Sequence, residues 1–196
     1  MARDAKERIL RTAYKLFASQ GYDATSINTI VASSGTTKGA LYHHYKAKED
    51  LFFDVVQYAM HEHGIPVAPD VESFTKKQLL AYLVDMGQRL IKVHSTDHNF
   101  NNLFIELHIQ ARKNKRIGEW ISTLKQQKMD FIRALVQRGV TLGAFRSADT
   151  HLLTTRIFFI AESIGIHMSA TGGSDCVNSK IDFNKLWKAT IEEMFV

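Results

Sequence analysis

Proline occurs in this 196-residue chain only at Pro66 and Pro69, close together in HGIPVAPD. Proline breaks a helix interior and disfavours helix in the residue before it, so this stretch reads as a linker. Everywhere else the chain is free to form long helices, and apolar residues recur at helical spacing on both sides of the linker. Ile9, Ala13, Leu16 and Phe17 share one face of a helix expected at 4–20, which stops at Gly21 with Tyr22 placed to cover the last turn. Short helices are expected at 27–34 and 38–45. A longer one follows at 48–63, with Leu51, Phe52, Val55, Val56 and Met60 as its apolar face. Beyond the linker the spacing predicts helices at 75–95, 101–110, 116–142, 149–169 and 182–195. No alternating run is bounded by hairpin turn residues. The expected fold class is all-α, with about nine helices.

Several function classes lose their footing on composition. The single cysteine, Cys176, cannot form an internal disulfide, and in TGGSDCVNSK it has no neighbouring base to activate it. No G-x-S-x-G and no phosphate-cradling glycine loop occurs, so no enzyme is expected, and no cofactor. His94 with His98, and His61 with His63, have spacings that occur cheaply at helix ends. No cysteine or carboxylate pattern completes a ligand set, so no metal site is expected. No apolar run reaches the roughly 18 residues needed to span a bilayer, and IFFIAESIGI is broken by Glu162. MARDAKERIL turns amphipathic at once, which makes the cytoplasm the expected location. A net charge of +5 permits an acidic partner without selecting one.

The stretch SSGTTKGALYHHYKAKEDL is more selective. Two short helices joined by SGT, with Gly35 free to turn the chain through positive φ, have the spacing of a helix-turn-helix. Ser26 and Thr37 are the expected N-caps of the two helices, and helix starts of this kind present amides suited to phosphate oxygens. Gly39 removes side-chain bulk where the backbone would approach a groove floor. Lys38 can reach a base edge or a phosphate, and Thr36, Tyr42, His43 and Lys48 add further donors. His44 has two readings, a phosphate contact or a packed residue closing the small core. Leu41 reads as core, and so does Tyr45, with its hydroxyl at the surface.

From Ile9 to Phe53 these residues resemble the TetR family of bacterial transcriptional regulators. ILRTAYKLFASQGYDATSINTIV is similar to the family's first helix, glycine stop and capped second helix. SGTTKGALYHHYKAKEDL is similar to its turn, recognition helix and following lysine. Thr36 stands where the family usually has Val, and Val31 where it usually has Ala. The resemblance implies a DNA-binding domain at 1–47 and an effector-binding and dimerisation domain at 48–196, with 48–64 as the connecting helix. It further implies a homodimeric repressor on a double-stranded, pseudo-palindromic operator, released by a small-molecule effector of unknown identity. An activator of the same fold, or a small-molecule carrier or enzyme with an incidental helix-turn-helix, are the rival readings.

Within the second domain, Met86, Arg89, Phe104, His108, Trp120 and Met129 place polar or polarisable groups among apolar ones. They are the expected effector-pocket residues, with Arg89 answering an acidic group on the ligand. IFFIAESIGIHMSA is apolar around most of its circumference and needs a second surface to cover it. Phe158, Phe159, Ile166, Trp187 and Ile191 are the expected dimer interface.

Overall fold

A computed structural model describes residues 2–63, 70–172 and 181–196. The linker prolines and Cys176 lie outside the described residues. Among those described there are nine α-helices: α1 Ala2–Gln20, α2 Ile27–Ser34, α3 Lys38–His44, α4 Lys48–Glu62, α5 Lys76–Thr96, α6 His98–Lys113, α7 Lys115–Thr141, α8 Thr150–Ala170 and α9 Phe183–Met194. Eight of them begin and end within two residues of the expected bounds. α6 is longer than expected at both ends, because the Asp97 carboxylate accepts from the amides of Asn99 (2.8 Å) and Phe100 (3.0 Å) and starts the helix early. α8 and α9 are capped the same way, by Asp149 on Leu152 N–H and Asp182 on Lys185 N–H, each at 2.9 Å.

The helices form two compact units, residues 1–64 with 97–120 and residues 65–96 with 121–196. The first is larger than a three-helix block, since it takes in α4 and, from well downstream, α6, which packs on α1. At its centre Phe17, Tyr22 and Phe52 form an aromatic cluster, with ring centroids 4.9–5.6 Å apart. Ile9, Ala13, Ile30, Leu41, Leu51 and Val55 are buried with no exposed surface. Where α6 begins, Asp97 also accepts from Tyr14 Oη (3.1 Å) and lies 3.0 Å from His63 Nε2, tying together α1, the end of α4 and α6.

The second unit is organised around Trp187 of α9, which is wholly buried. Its indole N–H donates to Leu83 O at 2.9 Å, so the one polar atom of the ring is satisfied inside the core. The ring lies where a side chain on α5 would otherwise stand, for a Cβ at Gly87 would fall 2.0 Å from Trp187 Cε2. The end of α9 is fixed by an isolated antiparallel bridge between Phe145 and Phe195. α8 is anchored to α7 through Glu162, whose carboxylate lies 2.7 Å from Lys128 Nζ and 3.0 Å from Lys125 Nζ. Burial pushes this carboxyl up, but the two ammonium groups outweigh burial and hold it below its ordinary range.

This packing corrects the expected dimer interface. Trp187, Ile191 and Phe158 are buried in the core of their own unit and offer no surface. Phe159 and Ile166 are exposed, together with Leu152 on α8 and Leu186 on α9. Adjacent phenylalanines on a helix point about 100° apart, so only one of Phe158 and Phe159 can face the core.

Gly87→Ala is expected to destabilise the chain by about 1–3 kcal/mol, since indole and methyl cannot share the space. A lowered urea midpoint would show it. An unchanged midpoint would mean that the α5–α9 contact is looser than described.

Candidate nucleic-acid interface

α2 ends at Gly35, whose φ of 61° is the left-handed conformation that glycine adopts without strain. The turn is closed by Thr36 N–H on Val31 O (3.3 Å) and by a 2.7 Å hydrogen bond between the hydroxyls of Ser34 and Thr36. Thr36 is half-buried, and its hydroxyl is committed to the turn. Ser26 and Thr37 are exposed N-caps, their hydroxyls accepting from Thr29 N–H (3.0 Å) and Ala40 N–H (3.1 Å).

α3 buries Leu41 and exposes Lys38, Gly39, Tyr42 and His43 on its other side. Gly39 is not required by packing: a Cβ there would meet only Thr37 Oγ1, at 3.9 Å. A glycine inside a helix costs about 1 kcal/mol relative to alanine, and no close packing among the described residues requires it here. Tyr45 is buried and donates its hydroxyl to Asp54 (3.2 Å) rather than facing solvent, and Asp54 also pairs with Lys6 (2.9 Å). His44 is half-buried, edge-on to His43 and Tyr45 with ring centroids 5.0 and 6.2 Å away.

Lys48 departs from its expected role. Its ammonium donates to the backbone carbonyl of Tyr22 and lies 4.0 Å above the centroid of the Tyr22 ring. Burial lowers its proton affinity, while Asp23, Glu49 and Glu106 act to keep it charged. It is a brace between α4 and the turn after α1, not a free donor. Glu106 of α6 completes the brace by accepting from Tyr22 N–H (2.9 Å). Gln110 donates to Glu106 and Asp23 (both 3.0 Å), Lys113 pairs with Asp23 (3.0 Å), and Asn114 donates to Glu49 (2.9 Å). Sequence reasoning missed this support because Glu106 and Tyr22, and Asn114 and Glu49, lie more than 60 residues apart and no local pattern marks them.

Residues 9–55 match the family described as bacterial regulatory proteins, tetR family. The HTH-type transcriptional regulator YxaF of Bacillus subtilis (strain 168) is 29% identical over 171 residues, 86% of this chain and 86% of its own. QacR of Staphylococcus aureus (strain Mu50), also an HTH-type transcriptional regulator, is 28% identical over 156 residues, 76% of this chain and 78% of its own. Residues 9–55 are those of a TetR-family DNA-binding region. The chain is a DNA-binding transcriptional regulator, similar over most of its length to regulators rather than enzymes. Its fold extends to a protein from Saccharomonospora viridis crystallised in complex with choline. The two agree along 99% of this chain and 98% of that one, with a TM-score of 0.73 at 21% identity.

The six expected effector residues are divided between the two units. In the first, the His108 ring packs on Phe104 (4.6 Å) with Nδ1 2.8 Å from Phe104 O, and Trp120 stacks on Phe53 at 4.8 Å and 15°. In the second, Met86 and Met129 pack half-buried against the core. Arg89 is ion-paired with Asp85 one turn earlier on α5, so it does not hold an unanswered charge.

Lys38→Ala is expected to weaken specific DNA binding more than non-specific binding if this exposed lysine reaches base edges as well as phosphates. Equal losses on both kinds of DNA would make it a phosphate contact. Lys48→Ala should instead leave the salt dependence of binding unchanged and cost about 1–2 kcal/mol of stability, the sum of a cation–π contact and a hydrogen bond. A salt slope reduced by about one contact would restore Lys48 to the interface.

Proposed function

We propose that this regulator is a cytoplasmic, homodimeric repressor without catalytic activity, released from a pseudo-palindromic operator by a small molecule. The observation that carries the dimer is the outer face of α8. Leu152, Phe159 and Ile166 are 50%, 57% and 42% exposed and recur every seven residues. Three large apolar side chains in one stripe of a helix make a surface that water covers poorly and a second copy covers well. The short residues Ser163 and Ala170 share the stripe and allow close approach, and Arg156 at its edge can carry its charge to the rim.

Each chain carries one helix-turn-helix, so a two-fold dimer presents two recognition helices. These enter successive major grooves when they are about 34–36 Å apart. The DNA contacts assigned to this face are Lys38, Gly39, Tyr42 and His43, the Ser26 and Thr37 caps, and His44 at the edge. In this reading the reading head at 1–47 is supported by α4 and α6, and the second unit holds the effector. Release requires only that the effector bind more tightly to the conformation with the wrong head spacing. The choline bound by the S. viridis protein supports a small-molecule effector here.

A gel shift with the DNA upstream of the chain's own gene tests the regulator. Light scattering of Phe159→Glu tests the dimer, since a charge placed in an apolar interface should give monomer or aggregate. A stable dimer from that variant would move the interface elsewhere.

A further inference from the structure

Among the described residues, α5 carries two polar side-chain atoms that the packing around them does not explain. Tyr82 Oη and Arg89 Nε, both on α5, are shielded from solvent and have no hydrogen-bond partner. Leaving a donor unpaired away from water costs free energy, so two on one helix call for a reason. They lie two turns apart, about 10 Å along the axis, with Met86 on the same stripe between them. Around them the surface is apolar and soft. The Tyr82 ring lies 5.3 Å from Phe74 and 6.2 Å from Phe131, and Phe74, Met86, Met129 and Phe131 all pack half-buried against the core.

The charge in this region is already balanced. The terminal nitrogen of Arg89 is held by Asp85, and both heads reach solvent while the Arg89 Nε–H stays shielded. A carboxylate approaching Arg89 would therefore also approach Asp85 and would lose its hydration without gaining an unpaired cation. Burial pushes the Tyr82 phenol up, and Asp85 adds to that while Arg89 opposes it, so the hydroxyl remains a neutral donor. What the face offers is a neutral phenol donor and a guanidinium Nε–H whose charge Asp85 already balances, at the ends of an aromatic and methionine wall.

We propose that the α5 face carrying Tyr82 and Arg89 binds an uncharged, largely apolar molecule with acceptor oxygens near both ends, rather than an acid. The inference rests on reading the chain as effector-responsive, and it replaces the acidic ligand expected from Arg89 alone. Tyr82 is the residue added to the site.

The test uses the full chain and two matched probes, dimethyl sebacate and the sebacate dianion, followed by calorimetry and thermal unfolding. The diester should bind saturably and raise the melting temperature, and the dianion should bind at least tenfold more weakly. Tyr82→Phe should weaken the diester roughly three- to tenfold, the loss of one hydrogen bond. In the absence of probe the same variant should melt no lower than the parent, and up to about 1–4 °C higher, because an unpaired buried hydroxyl has been removed. The proposal is overturned by dianion binding as tight as the diester's, by no saturable diester binding, by unchanged diester affinity in Tyr82→Phe, or by a probe-free variant that melts lower. Operator affinity is measured separately with the diester present. Diester binding that depends on Tyr82 but leaves operator affinity unchanged would uphold this site and sink the ligand-released reading.

Discussion

Both backbone groups of Tyr22 are held by charged side chains from distant parts of the first unit, the N–H by Glu106 of α6 and the carbonyl by Lys48 of α4. The turn after α1 would otherwise leave polar backbone beside a buried aromatic cluster, where an unpaired group is costly. With it fixed, the Tyr22 ring can stack on Phe17 and meet Phe52 edge-on, and α2 can start after its Ser26 cap in a defined direction. The position of α3 follows from that start through the Gly35 turn. The exposed face of α3 therefore depends on a contact made well away from it, and α6 is as much a part of the first unit as the helix-turn-helix.

The second unit solves a different problem. Trp187 fills the space left by Gly87 and satisfies its N–H on an α5 carbonyl, which lets α5 and α9 approach closely. α8 then turns Ile157, Phe158, Ala161 and Ile164 inward. A helix this apolar cannot hide its whole circumference in one unit, and Leu152, Phe159 and Ile166 remain outside together with Arg156 and Ser163. The same unit keeps Tyr82 and Arg89 donors shielded and unpaired, a cost that a purely structural bundle would shed by replacing them with apolar residues.

Much of this was legible in the sequence, because the determinants are local. Gly21 and Gly35 end helices through positive φ, and Ser26, Thr37, Asp149 and Asp182 cap them with their own side chains. Each such signal spans fewer than five residues. The exposed face of Lys38, Gly39, Tyr42 and His43 follows equally from helical spacing once α3 is granted. Helix positions, fold class and the set of side chains that α3 exposes were in this sense determined by the sequence alone.

What the tertiary structure decided was the use of each side chain once partners far along the chain arrived. Lys48 looks like a phosphate donor until Tyr22 captures it. Trp187 and Ile191 look like interface until α5 covers them, and Tyr45 finds Asp54 instead of water. Arg89 loses its apparent need for an anion to Asp85, even though that partner sits only one turn away. Periodicity states which face a residue occupies. It does not state what lies opposite, and for a charged or aromatic side chain the group opposite determines whether it binds a ligand, a partner or its own chain.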